Sequence, residues 1–189
     1  MKFLIFLLLL LEIGIAHALP SCAFQKFDFS MNDIGSSLTV SPPGRNDDLF
    51  IVNVKARSDD DYTGRLLIFD NQCDLKYIQK LEYYPLSVFI LDDGISDIVF
   101  NLMQSGDGTY MLDAYYLSST DATRVIVEAA SNPFRPMFTN DPNTSAPIVK
   151  TYNRFSGICE IYKFNKSQKQ YTKTKSNKTC KFSNSKYCC

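Results

Sequence analysis

The chain reads as an all-β protein of antiparallel sheets. Three observations predict this: its apolar segments are short and end at turn residues, helical periodicity is nearly absent, and strand starts recur every 49 residues. Phe27, Phe29 and Met31 alternate with Asp28 and Ser30, which predicts an opening strand buried on one face. Further strands are expected over 49–55, 65–69, 76–84, 97–103, 110–117, 123–128, 148–152, 159–164 and 170–173, each rich in Val, Ile, Tyr or Phe. Residues 77–84 also fit a short helix, but Tyr83 and Tyr84 followed by Pro85 argue against a long one.

The recurrence is carried by Asp48-Leu49-Phe50-Ile51, Asp97-Ile98-Val99-Phe100 and Ala146-Pro147-Ile148-Val149, in steps of 49 residues. The second and third copies stay in phase further on, with Gly108 matching Gly157 and Tyr115 matching Phe164. A glycine turn follows each start, at Gly64, Gly108 and Gly157. About three units of this length, each with several strands, predict either a propeller-like arrangement or a compact sandwich. A propeller needs about four to eight blades, so either Phe24–Met31 helps complete an incomplete fourth unit or the sheets close as a compact sandwich or barrel.

The ends of the chain point to export. Lys2, an apolar run over 3–15 broken only by Glu12 and Gly14, and small Ala16 and Ala18 form a secretory signal peptide, 1–18. The competing reading makes Leu19-Pro20-Ser21-Cys22 a lipobox with lipid on Cys22, a pattern that Pro20 fits poorly. The remainder divides into an all-β repeat domain, 19–175, and a basic cysteine-rich tail, 176–189. All six cysteines, Cys22, Cys73, Cys159, Cys180, Cys188 and Cys189, lie after the leader, an even count that predicts disulfides. Six cysteines allow fifteen connectivities, and sequence does not choose among them. No C-x-x-C spacing supports zinc. A bridge is expected to tie the region after Lys150 together, because its self-repelling charge leaves it short of cohesion.

The only histidine, His17, lies in the leader, which excludes His-based triads and His-ligated metal centres from the mature chain. A carboxylate-pair glycan hydrolase drawing on Asp92, Asp93, Asp97, Asp107 and Asp113 is the enzymatic alternative. Glycine- and asparagine-flanked turns are the plainer reading of those residues, so no catalytic, cofactor-binding or metal-ligating residue is expected. Net charge is zero but divided: 9 basic against 18 acidic residues over 19–149, and 10 against the single Glu160 over 150–189. The basic part either seeks an anionic surface or folds back on the acidic body, and its cysteines favour the second. Sequons stand at Asn143, Asn165 and Asn177.

Phe89-Ile90-Leu91-Asp92-Asp93-Gly94-Ile95-Ser96-Asp97-Ile98-Val99-Phe100 resembles the FG-GAP or VCBS-type repeat of integrin-α-like propellers. In that family a D-x-N-x-D-G-x-x-D loop holds calcium. Asp93, Gly94 and Asp97 match it, whereas Phe89 and Leu91 replace the first two oxygen ligands. The resemblance therefore implies the turn without the ion. Cys159-Glu160-Ile161-Tyr162-Lys163-Phe164-Asn165 followed by Lys169-Gln170-Tyr171 is similar to the same family's hairpin. Small exported bacterial proteins with such degenerate repeats resemble periplasmic lysozyme inhibitors.

These readings converge on a secreted or periplasmic, non-catalytic binding module. Its expected partner is an extracellular or periplasmic protein of basic character, such as lysozyme, whose charge would complement the acidic body. Nucleic acid is not expected, and a membrane only if Cys22 carries lipid. A structural envelope protein is the remaining alternative.

Overall fold

The computed structural model describes residues 19–42, 44, 46–55, 64–91, 97–118, 121–132, 134–141, 144, 146–153 and 157–176. Residues 1–18, Asp92–Ser96 and the residues beyond Ser176 lie outside them. A short helix, α1 (Ser21–Lys26), and a 3-10 turn (Met31–Asp33) precede the strands. Strands β1 (Ile34–Val40), β2 (Leu49–Lys55), β3 (Gly64–Asp70) and β4 (Leu75–Leu81) form the first sheet. The second comprises β5 (Tyr84–Phe89), β6 (Ile98–Gln104), β7 (Tyr110–Leu117) and β8 (Ala122–Ser131). The third comprises β9 (Met137–Asn140), β10 (Pro147–Asn153), β11 (Ile158–Asn165) and β12 (Gln170–Ser176). Each sheet is an antiparallel meander of four strands in chain order, and the three do not close into a ring. The fold is thus all-β, with similar sheets following one another like blades.

The 49-residue spacing falls on the second strand of each sheet: β2, β6 and β10 begin at Leu49, Ile98 and Pro147. Gly108 and Gly157 have φ of +82° and +64°, left-handed values that glycine adopts without a Cβ clash. Gly64 is needed for a different reason, since a Cβ there would collide with the Val54 carbonyl oxygen. The third copy slips by one position. Val149 packs into the interface with the second sheet, whereas spacing aligns its half-buried neighbour Ile148 with Val99.

Alternation along the strands gives the first and second sheets two apolar faces each and the third sheet one facing the second, so side chains join the layers. Leu49, Ile51, Leu66 and Ile68 meet Val99, Met103, Tyr115 and Leu117 between the first and second sheets. Phe100, Leu112 and Ala114 meet Val149, Tyr162 and Phe164 between the second and third. The outer face of the first sheet, with Phe50, Val52 and Phe69, is covered by Ala23, Phe27 and Phe29. At roughly 1.5–3 kcal/mol per fully buried Val, Leu, Ile, Phe or Met side chain, these layers hold together sheets whose ladders run within each meander.

The expected opening strand at Phe27–Met31 is not formed. Phe27 and Phe29 are buried, but Met31 is 69% exposed and lies in the 3-10 turn. Asp28 takes a left-handed φ of 50°, which breaks an extended run. The carbonyls of Phe27 and Asp28 accept hydrogen bonds from the Arg65 guanidinium at 2.9 and 3.1 Å instead of from a neighbouring strand. This segment supplies no fourth unit; it caps the first sheet through the Cys22–Cys73 disulfide. The single strand expected over 76–84 is two strands turning at Glu82 and Tyr83. Pro85 sits in edge strand β5, where its missing N–H is tolerated.

The disulfide also removes the lipobox reading, because the Cys22 sulfur is bonded to Cys73 and has no thiol left to carry lipid. Cys159 is disulfide-bonded as well. Such bonds persist in oxidising compartments.

Candidate functional site

In each meander successive hairpins emerge at alternate ends. The β1–β2, β3–β4, β5–β6, β7–β8, β9–β10 and β11–β12 connections lie at one end of the sheets and the remaining ones at the other. Contacts between sheets fix this alignment. Lys169, in the β11–β12 turn, lies 5.3 Å over the Tyr116 ring near the end of β7. At the opposite end Lys55 lies 6.0 Å over Tyr84, and Asn132 bridges to Asn153.

The first of these ends is rich in aspartate. Asp47 and Asp48 lie in the β1–β2 connection, Asp70 and Asp74 flank the β3–β4 turn, and Asp97, Asp121 and Asp141 occupy the next three hairpins. Asp70 pairs with Lys76 at 2.9 Å and Asp74 with Lys26 at 3.3 Å. Burial raises the Asp70 pKa, but Lys76 and the backbone N–H groups of Asp74 and Gln72 outweigh it and hold the carboxyl below its ordinary value. Burial pushes Asp97 the other way, above its ordinary value, against Lys169 and the Tyr116 hydroxyl. Asp47, Asp48 and Asp121 meet neutral donors: Asn71 at 3.4 Å, the Ser41 hydroxyl at 2.5 Å and the Ala122 N–H at 2.7 Å. No ion pair neutralises these three among the described residues.

The third sheet is basic, and its Lys169 stands beside Asp97 and Tyr116 of the second. This lysine brings one charge of the basic strands onto the acidic second sheet. Glu160 is taken up by Lys173 at 2.6 Å.

The calcium-type loop keeps only part of its pattern within view. Phe89 is stacked on Phe100 and edge-on to Phe138 in the interface between the second and third sheets, and Leu91 is 42% exposed. Neither side chain carries a ligand oxygen, and Asp92, Asp93 and Gly94 lie outside the described residues. Among the described residues no group of three or more His, Cys, Asp or Glu could hold a metal ion.

Of the carboxylates named for the enzymatic alternative, the described ones, Asp97, Asp107 and Asp113, do not converge. Asp97 and Asp107 lie beyond opposite ends of β6, whose seven residues span about 23 Å. Asp107 is engaged within its own turn by the Ser105 hydroxyl and the Thr109 N–H. Asp113 is fully buried in β7. It accepts hydrogen bonds from Arg124 Nη2 at 2.7 Å, the Glu128 N–H at 2.8 Å and the Tyr115 hydroxyl at 3.1 Å. Gln79 extends this network: in the orientation that satisfies its whole amide, its nitrogen donates to Tyr77 and Tyr115 and its oxygen accepts from Arg124 at 3.2 Å. Burial, then Asp113, drives the Tyr115 phenol far above its ordinary value, so it stays protonated. Asn165, one of the three sequons, uses Oδ1 to cap the β11–β12 turn by accepting from the Ser167 and Gln168 N–H groups. Asn143 and Asn177 lie outside the described residues.

No protein-family model matches the chain, and neither does any curated protein. The functional reading therefore rests on this geometry and charge.

Sequence reading missed the Asp113–Arg124 network. Its one local signal was a charged residue, Asp113, in the apolar stretch Tyr110–Leu117, and burying a charge requires a partner.

Proposed function

We propose that this chain is an exported, non-catalytic interaction module that binds a basic protein through the acidic end of its sheets. A cationic hydrolase such as lysozyme is the most concrete partner. The carrying observation is the gathering of Asp47, Asp48 and Asp121 at one end, where their hydrogen-bond donors are neutral. Opposite charge across an interface speeds encounter and fixes register, and its effect fades as salt screens it.

Titrating the secreted protein against lysozyme by calorimetry, with the enzyme's turnover followed in parallel, tests this reading. Binding is expected to weaken as ionic strength rises, and the triple substitution Asp47→Asn, Asp48→Asn, Asp121→Asn should weaken it about tenfold or more, roughly 1.4 kcal/mol. Absence of binding removes lysozyme as the partner. Salt-independent binding that the triple variant leaves unchanged removes the acidic end as the binding surface.

A further inference from the structure

A cleft of about 250 Å³ lies between the first and second sheets, near the end opposite the aspartate-rich loops. Tyr77 and Gln79 of β4, Glu82 and Tyr83 of the following turn, and Arg124 and Glu128 of β8 line it, with Leu81 and Met103 adding apolar wall. Pockets for drug-sized ligands begin at about 300 Å³, so this one suits a single side chain or a small molecule of that size.

The backbone beside it is unusual. Val127 and Glu128 together oppose Asp113, because the ladder passes from Leu112↔Ala129 to Ala114↔Ile126. This is a β-bulge. Glu128 occupies it with a φ of 49°, left-handed for a residue other than glycine. Such a conformation persists where surroundings over-determine it and is concentrated at functional sites. Here Asp113 fixes the bulge by accepting the Glu128 N–H, and the Glu128 carboxylate is brought to the cleft.

Charge selects the ligand. Arg124 is already engaged, with Nη2 on Asp113 at 2.7 Å and on Glu128 at 3.4 Å, and Lys80 is exposed. Burial, then the carboxylates of Glu128, Glu82 and Asp113, push the Tyr83 phenol above its ordinary value, so negative charge acts at Tyr83, whereas at Tyr77 Arg124 outweighs Asp113. Tyr77 and Tyr83 also line the cleft, and aromatic rings attract cations.

We propose that this cleft is an anchor site for one cationic side chain, a guanidinium or ammonium group received between the Glu82 and Glu128 carboxylates and the tyrosine rings. The site is separate from the aspartate-rich end, so it can stand or fall without the lysozyme reading.

The probes are N-acetyl-arginine amide and N-acetyl-citrulline amide, which share a shape and differ in charge. Each is titrated into the whole secreted protein while the ring resonances of Tyr77 and Tyr83 are followed by NMR. The arginine probe is expected to shift both rings saturably, and the citrulline probe to bind at least about tenfold more weakly. Glu82→Gln, which leaves the Asp113 network untouched, and Glu128→Gln should each weaken the arginine probe by a similar factor while thermal unfolding confirms an intact fold. Equal binding of the two probes, no saturable shift, or unchanged affinity in Glu82→Gln overturns the assignment.

Discussion

Replacing Asp113 by alanine isolates the polar network between the first two sheets. The carboxylate is fully buried and accepts from a guanidinium, a backbone N–H and a phenol. Removing one partner of a buried ion pair costs about 3–5 kcal/mol, and each orphaned buried donor adds a penalty of about 1–3 kcal/mol. Arg124 keeps 19% side-chain exposure and Gln79 as an acceptor, so water and Gln79 recover part of this. We expect a loss of about 4 kcal/mol, which for a chain of this size lowers Tm by roughly 8–16 °C. Urea unfolding followed by circular dichroism measures it, with slopes compared to show that the same surface is exposed. The double variant Asp113→Leu, Arg124→Met leaves neither charge orphaned and should lose less than the two single variants summed. A loss below about 1 kcal/mol for Asp113→Ala, or strict additivity in the cycle, would refute the reasoning.

Two further outcomes follow from the ends of the first sheet. Replacing Cys22 and Cys73 by alanine opens a link across 51 positions and should destabilise the protein by about 4 kcal/mol from loop-closure entropy, read as a lower urea midpoint. Asp70 is an acid whose folded pKa lies below its unfolded value, so its contribution is present above about pH 4 and is lost as pH falls through the lower folded value. Asp70→Asn should accordingly flatten the acid limb of stability below pH 4, and an unchanged limb would show that another group governs it.

Much of the sheet pattern was legible because alternation and turn residues act locally. Tyr110–Leu117 was placed residue for residue, and β2, β6 and β10 stand where the spacing put them. The first strand of each sheet was harder to see. β1 carries Gly35, Ser36 and Ser37, β5 carries Pro85, and β9 has only four residues, so none shows a clear apolar alternation. Phe27 and Phe29 gave a correct burial pattern but a wrong backbone, because burial depended on the remote Cys73 and Arg65. The acidic bias was visible in composition, whereas its collection at one end needed the meander. The cleft at Glu128 was beyond reading from sequence, since a bulge is defined by the strand opposite.

Among the described residues, every ladder joins strands that are neighbours in the chain. A β protein built this way closes short loops, and low contact order goes with fast folding. A chain emerging from the ribosome or a translocation pore could complete its first meander once Leu81 is out, before any strand of the third has appeared. Cys22 would wait for Cys73, which arrives only with the last hairpin of that sheet. The covalent link would then lock a layer already assembled, and each later layer would find a finished apolar face to settle on.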